Sequence, residues 1–238
     1  MDDVFGLALQ DHLDGKTAGT ISVRRDDGFV DTHDAGLYFA AEPQAHEASV
    51  LKAVAGPVLD IGCGAGRHVL WLQAAGVDVA GLDISPGAVQ VCRRRGCQRV
   101  AQADIMDPEA PPGAPFRTAL LFGNNIGIGG TAGGTVRMLR RLRAVLEDDG
   151  RVLVTSLDVE RTSTPAHLAY HARNVERGRP KGQVRIRLEY GGLVGPWIDW
   201  LHPTPDELTA LANDAGWSVA QMSRSDSGLY NVVLKPAA

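Results

Sequence analysis

The densest chemical signal in the chain is Asp60-Ile61-Gly62-Cys63-Gly64-Ala65-Gly66, set between the apolar run Val58-Leu59-Asp60-Ile61 and a helical stretch that begins at Arg67. Glycines at such a junction let the backbone turn sharply and come close to a ligand, with the amino end of a helix nearby. A dinucleotide-binding fingerprint needs its third glycine at position 67, where Arg67 stands. The glycines fall instead at 62, 64 and 66, which disfavours the alternative of a nicotinamide-dependent oxidoreductase. Further polar residues sit at the ends of other apolar runs: Asp83 before Ile84-Ser85, Asp104 before Ile105, and Gly123-Asn124-Asn125 after Phe122. Each acid also has a plain reading as the cap of a following helix.

An acid at 60, glycines at 62, 64 and 66, and an acid at 83 together resemble the motifs of class I S-adenosylmethionine-dependent methyltransferases. The resemblance covers residues 45 to 157 well and the last helix and strands more loosely. It implies S-adenosylmethionine as cofactor, held by Asp60, Gly62, Cys63, Gly64 and Gly66. It implies that Asp83, with Ile84 beside it, takes both ribose hydroxyls, since two vicinal hydroxyls suit one carboxylate. By the same resemblance Asp104 meets the adenine amino group and Ile105 faces the ring. Gly123 and Asn124 mark where the methionine moiety and substrate meet, with Asn125 on the substrate side. The N/D-P-P-Y/F motif of enzymes that methylate exocyclic amines in nucleic acids, or glutamine, is missing, which counts against those acceptors.

Substrate recognition must then come from outside the cofactor-binding core. The segment Asp31 to Phe39 is expected to fold over the cofactor and to present Tyr38 and Phe39. An insertion at 158–203 offers Tyr170, His171, Trp197 and Trp200. An alcohol, phenol or ammonium acceptor needs a base, for which His33 and His171 are the candidates; a neutral amine or a phenolate needs none. No carboxylate cluster suggests a metal. Two other uses of the same core stay open: a cyclase or alkyltransferase working on the cofactor's aminobutyryl chain, and a sensor that binds the cofactor without reaction.

Composition narrows the class. The 238 residues carry a net charge of −4 and a pI near 6.0. A protein that gains its affinity by neutralising phosphates is usually basic, so a small-molecule acceptor is expected and nucleic acid is not. Acids at Asp2, Asp3 and Asp11, in place of a basic stretch and an apolar run, give no secretory signal, and no run suits a bilayer. The expectation is a cytoplasmic monomer or homodimer. Cys63, Cys92 and Cys97 form neither a disulfide framework nor a zinc pattern, and the intervening Arg93-Arg94-Arg95 reads as the solvated end of a helix. The Ala-, Arg- and Gly-rich style resembles stand-alone methyltransferases of high-GC bacteria.

The elements that must position these residues alternate from Val58 onward. Strands are expected at 58–61, 77–82, 99–103, 116–122 and 150–157, with helices at 67–75, after Ser85-Pro86, and at 131–147. In the last of these helices Val136, Leu139, Leu142 and Leu146 form the apolar face. Beyond 158, a helix from His167 to Gly178 and an alternating strand 184–190 lead, through Gly191-Gly192, to a strand returning at 197–201. Thr204-Pro205-Asp206-Glu207 carries a capping box, and strands follow near 217–223 and 228–235. Residues 1 to 45 read as a polar cap with a hairpin around Asp27-Gly28, followed by a short helix from Gln44 to Val54. The expected fold is a Rossmann-like α/β, doubly wound with a mostly parallel sheet and an antiparallel last strand. It carries a cap at 1–45 and a β-hairpin insertion within a 46–238 domain.

Overall fold

A computed structural model describes residues 3–16, 20–109, 111, 113 and 115–237; Asp2 of the acidic start lies outside this set. The first elements are α1 (Val4–Leu13), β1 (Ile21–Arg25), β2 (Val30–His33), α2 (Ala48–Leu51) and β3 (Val58–Ile61). They are followed by α3 (Arg67–Ala74), β4 (Val79–Asp83), α4 (Pro86–Arg94), β5 (Val100–Gln102) and β6 (Phe116–Leu121). Next come α5 (Ala132–Val145), β7 (Leu146–Leu157), α6 (Pro165–Glu176), β8 (Gln183–Tyr190) and β9 (Leu193–Val194). The chain closes with β10 (Ile198–Leu201), α7 (Pro205–Asp214), β11 (Trp217–Arg224) and β12 (Leu229–Pro236). It divides into two compact units, one of residues 1–43, 56–113 and 185–198, the other of 44–55, 114–184 and 199–238.

In the first unit β3 pairs parallel with β4, and β4 with β5. Every residue of β3 and β4 is buried, as expected for strands covered on both faces. Ser85 caps α4 by accepting from Ala88 N–H at 2.9 Å, with Pro86 in the first turn. The hairpin β1–β2 turns at Asp27-Gly28, where Gly28 has φ 91° and the Asp27 carboxylate holds Arg25 at 2.8 Å through two bonds. Its strand β1 also pairs antiparallel with β8, so the cap hairpin and the insertion share one sheet. Gly191 and Gly192, both at positive φ, turn β8 directly into β9, and the returning strand thus starts at Leu193.

Helix α1 is the element that sequence periodicity missed. Its apolar residues split over two faces: Val4 and Ala8 pack with Ile21, Ala35 and Tyr190, while Leu9 packs with Ala65, Ala88 and Val91. A helix buried on two sides shows no single stripe.

In the second unit β6 and β7 are parallel, β7 and β12 antiparallel, and β12 and β11 antiparallel. The last strand therefore runs as expected. Three expectations shift. Strand β7 begins at Leu146 instead of 150, the Gln44–Val54 segment is a 3-10 turn plus the single turn α2, and the buried stripe of α5 is Thr135, Met138, Leu139, Leu142 and Val145. Val136 is only half-buried. The capping box of α7 is complete: Glu207 N–H donates to Thr204 Oγ1 at 3.2 Å and Thr204 N–H to Glu207 Oε2 at 2.8 Å. Trp217, fully buried, donates from Nε1 to Leu139 O at 2.9 Å. Trp217→Ala should destabilise the protein by about 3–5 kcal/mol, read by chemical denaturation. A loss well below this range would mean that the site collapses around the missing ring.

Candidate cofactor site

The glycine turn is built by the chain leaving β3. Gly62, Gly64 and Gly66 all have positive φ, and Gly66, at φ 79°, starts α3. A Cβ on Gly66 would lie 2.5 Å from Cys97 Sγ and 3.1 Å from Cys92 Sγ. The position therefore needs glycine for its conformation and for its contacts alike. Cys63 faces away from the open side: its N–H goes to Leu82 O, and its Sγ lies 3.8 Å from Cys92 Sγ. Cys92 Sγ donates to Gly64 O at 3.1 Å. All three cysteines are free and buried. The Cys92 thiol is held well above its ordinary pKa by its bond with Cys63 and by burial, and Cys97 likewise by its bond with Cys92 and burial. These are neutral thiols that pack beneath the turn, not nucleophiles.

Asp83 ends β4 beside the turn. Gly64 N–H donates to its Oδ2 at 2.8 Å and Ser85 N–H to its Oδ1 at 2.9 Å. Each oxygen keeps a lone pair, and the next side chain, Ile84, is 69% exposed. A buried carboxylate next to an exposed aliphatic residue fits a nucleoside, with hydroxyls on the acid and a base against the aliphatic chain. Burial pushes the Asp83 carboxyl pKa up, against the lowering effect of backbone bonds from Ser85, Gly64 and Ile84. Asp60 is buried at the end of β3. Asp104 is exposed and closes its own turn by accepting from Met106 N–H at 2.9 Å; no helix follows it directly, so it is not a helix cap. Ile105 is buried.

The cap closes on this turn. Tyr38 and Phe39 lie in a 3-10 turn, Ala35–Phe39, started by Asp34, whose side chain accepts from Gly36 N–H. A Cβ on Gly64 would lie 3.4 Å from the Tyr38 ring and 3.7 Å from Phe5. Burial, and then the Asp83 carboxylate, raise the Tyr38 phenol pKa. Phe39 packs against His12, with ring centroids 4.4 Å apart, and under the Arg95 guanidinium at 4.7 Å. Arg95 also donates to Ala65 O at 2.5 Å and Phe39 O at 3.2 Å, tying the glycine turn to the cap. Only Arg93 and Arg94 behave as the solvated helix end read from sequence. Arg95 was missed because nothing in a basic run distinguishes the one member that folds inward.

His33 ends β2 with its side chain exposed and Nε2 4.0 Å from Asp31. Trp197 is 38% exposed under Arg187, at 4.8 Å.

In the second unit Gly123 and Asn124 form consecutive left-handed residues after β6, at φ 63° and 69°. Gly123 N–H donates to Thr155 Oγ1 and Asn124 N–H to Thr155 O. Asn124 Oδ1 is buried without a hydrogen-bond partner, as expected of an acceptor that awaits a ligand. Asn125 begins the 3-10 turn Asn125–Gly129. Trp200 Nε1 would lie 2.0 Å from a Cβ on Gly127, so its indole covers this turn. Tyr170 is buried in α6 under Arg173, and His171 beside it is half-buried. Among the described residues no cluster of three His, Cys, Asp or Glu is placed to hold a metal, and no helix is long and apolar enough to cross a membrane.

Comparison with known proteins gives the class. Residues 58–150 match the family described as methyltransferase domain. An S-adenosylmethionine-dependent methyltransferase from Bacteroides fragilis, solved with S-adenosyl-L-homocysteine, is 27% identical with a TM-score of 0.85, covering 99% of this chain and 95% of its own. The CcbJ methyltransferase from Streptomyces caelestis is 18% identical with a TM-score of 0.63, over 84% of this chain and 92% of its own. The 1,6-didemethyltoxoflavin-N1-methyltransferase from Burkholderia thailandensis is 16% identical with a TM-score of 0.57, over 99% and 88%. No curated protein matches the sequence. The fold is the Rossmann-like methyltransferase α/β fold. The chain is a class I S-adenosylmethionine-dependent methyltransferase, and its cofactor is S-adenosylmethionine.

Proposed function

We propose that this methyltransferase acts on a small-molecule acceptor, with Asp83 holding the cofactor ribose and His33 serving as base where the acceptor carries a proton to lose. The observation that carries the reading is the cap on the glycine turn, with Tyr38 and Phe5 against Gly64. A polymer's backbone would have to displace that cap, whereas a small acceptor would not. The net charge of −4 supports the same class, and so does Gly123-Asn124-Asn125 in place of an amine-methylating motif. The Burkholderia protein of the same fold was solved with 1,6-didemethyltoxoflavin, a small heterocycle.

Bound S-adenosylmethionine supplies a methyl group already activated on a sulfonium. The residues' task is then alignment and exclusion of water. Asn124 and Asn125 offer neutral polar groups that orient without adding charge, and Tyr38 shields the turn. His33, exposed at the end of β2, would take the proton where the acceptor carries one. His171 is the second candidate, separable by mutation.

Incubation with methyl-labelled cofactor and panels of small amines, phenols and alcohols, set beside RNA and protein, tests the class. Label on a small molecule with matching S-adenosyl-L-homocysteine is expected; label only on RNA or protein overturns the reading. Methylthioadenosine as product would mean attack on the aminobutyryl chain instead. For a phenol or alcohol acceptor, His33→Ala should lower kcat by about 10²–10³ while leaving cofactor affinity unchanged. A loss seen only in His171→Ala would transfer the role.

A further inference from the structure

The amino-terminal helix is tied to the cofactor site by one carboxylate. Asp3 caps α1 by accepting from Gly6 N–H at 2.9 Å, and the same side chain reaches the start of α4. There it accepts from Ser85 Oγ at 2.9 and 2.7 Å and from Gly87 N–H at 2.7 Å. One carboxylate thus pairs an N–H at the amino end of each of two helices, beside the Ser85 cap of α4. The helices can meet there only because both carry glycine. A Cβ on Gly6 would lie 2.7 Å from Gly87 Cα, and one on Gly87 would lie 2.6 Å from Gly6 Cα. Gln10 to Gln90 and Arg94 to Asp14 continue the contact along the pair. Ser85 is the pivot, because its N–H holds Asp83 Oδ1 while its hydroxyl holds Asp3.

We propose that Asp3 is a positioning residue for cofactor binding, acting through Ser85 to hold the Asp83 carboxylate, so that docking of α1 and binding of the cofactor stabilise each other. The proposal rests on the reading of Asp83 as the ribose acceptor. Coupling of this kind is reciprocal: whatever α1 contributes to affinity, bound cofactor returns to the docking of α1.

Charge gives a second, independent handle. The groups facing Asp83 are Asp3 from α1, Tyr38 from the cap, and Cys63 and Cys92 from beneath the turn. Asp3 carries the like charge among them and raises the Asp83 pKa, adding to burial. An ionised Asp83 offers more acceptors to the hydroxyls than a protonated one, so affinity falls as pH drops through that raised value. Neutralising Asp3 lowers the value and should move the acid limb of binding to lower pH.

S-adenosyl-L-homocysteine binding to the full chain, measured by calorimetry across pH, tests this with D3A, D3N, G6A and D83N. D3A and G6A should each weaken binding roughly tenfold, the first by removing the tie and the second by prising the helices apart. D3N, which keeps the shape, should bind more tightly than D3A and retain its affinity to lower pH than the wild type. Hydrogen exchange of the wild-type protein should show added protection over residues 4–13 on ligand binding, a readout that stands even if a variant folds poorly. Wild-type affinity in D3A and G6A, an unmoved acid limb in D3N, or unchanged exchange in α1 overturns the proposal. Retained binding in D83N would instead overturn the reading of Asp83 on which it rests.

Discussion

S-adenosylmethionine should bind Asp83→Asn about a hundredfold more weakly than wild type, because two hydroxyl bonds to a buried carboxylate are exchanged for weaker bonds to an amide. Asparagine preserves the side chain's size and one of its oxygens, so the bond from Ser85 or from Gly64 can persist and the fold should survive. Calorimetry with S-adenosyl-L-homocysteine reads the effect directly, and an intact thermal transition in the absence of ligand separates it from unfolding. In the wild type the same affinity should depend on pH. The folded carboxyl is raised by burial, so protonation begins above the usual carboxylate range, and affinity declines on acidification earlier than for an exposed aspartate. Undiminished binding by the variant would remove Asp83 from the site.

The second large effect is on the turn itself. Gly66→Ala combines a left-handed conformation at φ 79° with a Cβ only 2.5 Å from the buried Cys97 sulfur. Strain and overpacking together should cost about 2–4 kcal/mol and weaken cofactor binding, since the displaced backbone belongs to the glycine turn. Gly76→Ala is the control. It has φ 76° with nothing within 4 Å of the added carbon, so it bears only the conformational part, about 1 kcal/mol. Denaturation of both variants and of Gly66→Ala/Cys97→Ala separates the terms, the double variant recovering part of the loss. Equal losses in Gly66→Ala and Gly76→Ala would show that the thiols yield without cost.

The core was legible wherever a local rule decides structure. Strand β3, the glycine turn, the Ser85-Pro86 helix start and the α7 capping box all follow from residues within a few positions of each other. The site was legible only in part, for the same reason. Asp83 announces itself by standing at a strand end in register with the glycines, but Arg95, which ties the glycine turn to the cap, hides in a run of three arginines. Phe39 reads from sequence as a substrate contact, whereas in the fold it packs against His12 and Arg95. Asp104 is the reverse case, since an exposed turn suits its local bonding as well as any ligand does.

What the sequence by itself determined was the class of protein and its cofactor, because the glycine spacing and the acid that follows are short-range chemistry. What only tertiary structure decided was the company those residues keep. Asp3 and Ser85 stand 82 positions apart and bond at 2.7 Å, and Cys63 meets Cys92 across 29. Helix α1 divides its apolar residues between two partners and so leaves no periodic trace. Contacts of this range are set by how strands and helices pack, and packing is a property of the whole fold that no local window of sequence contains.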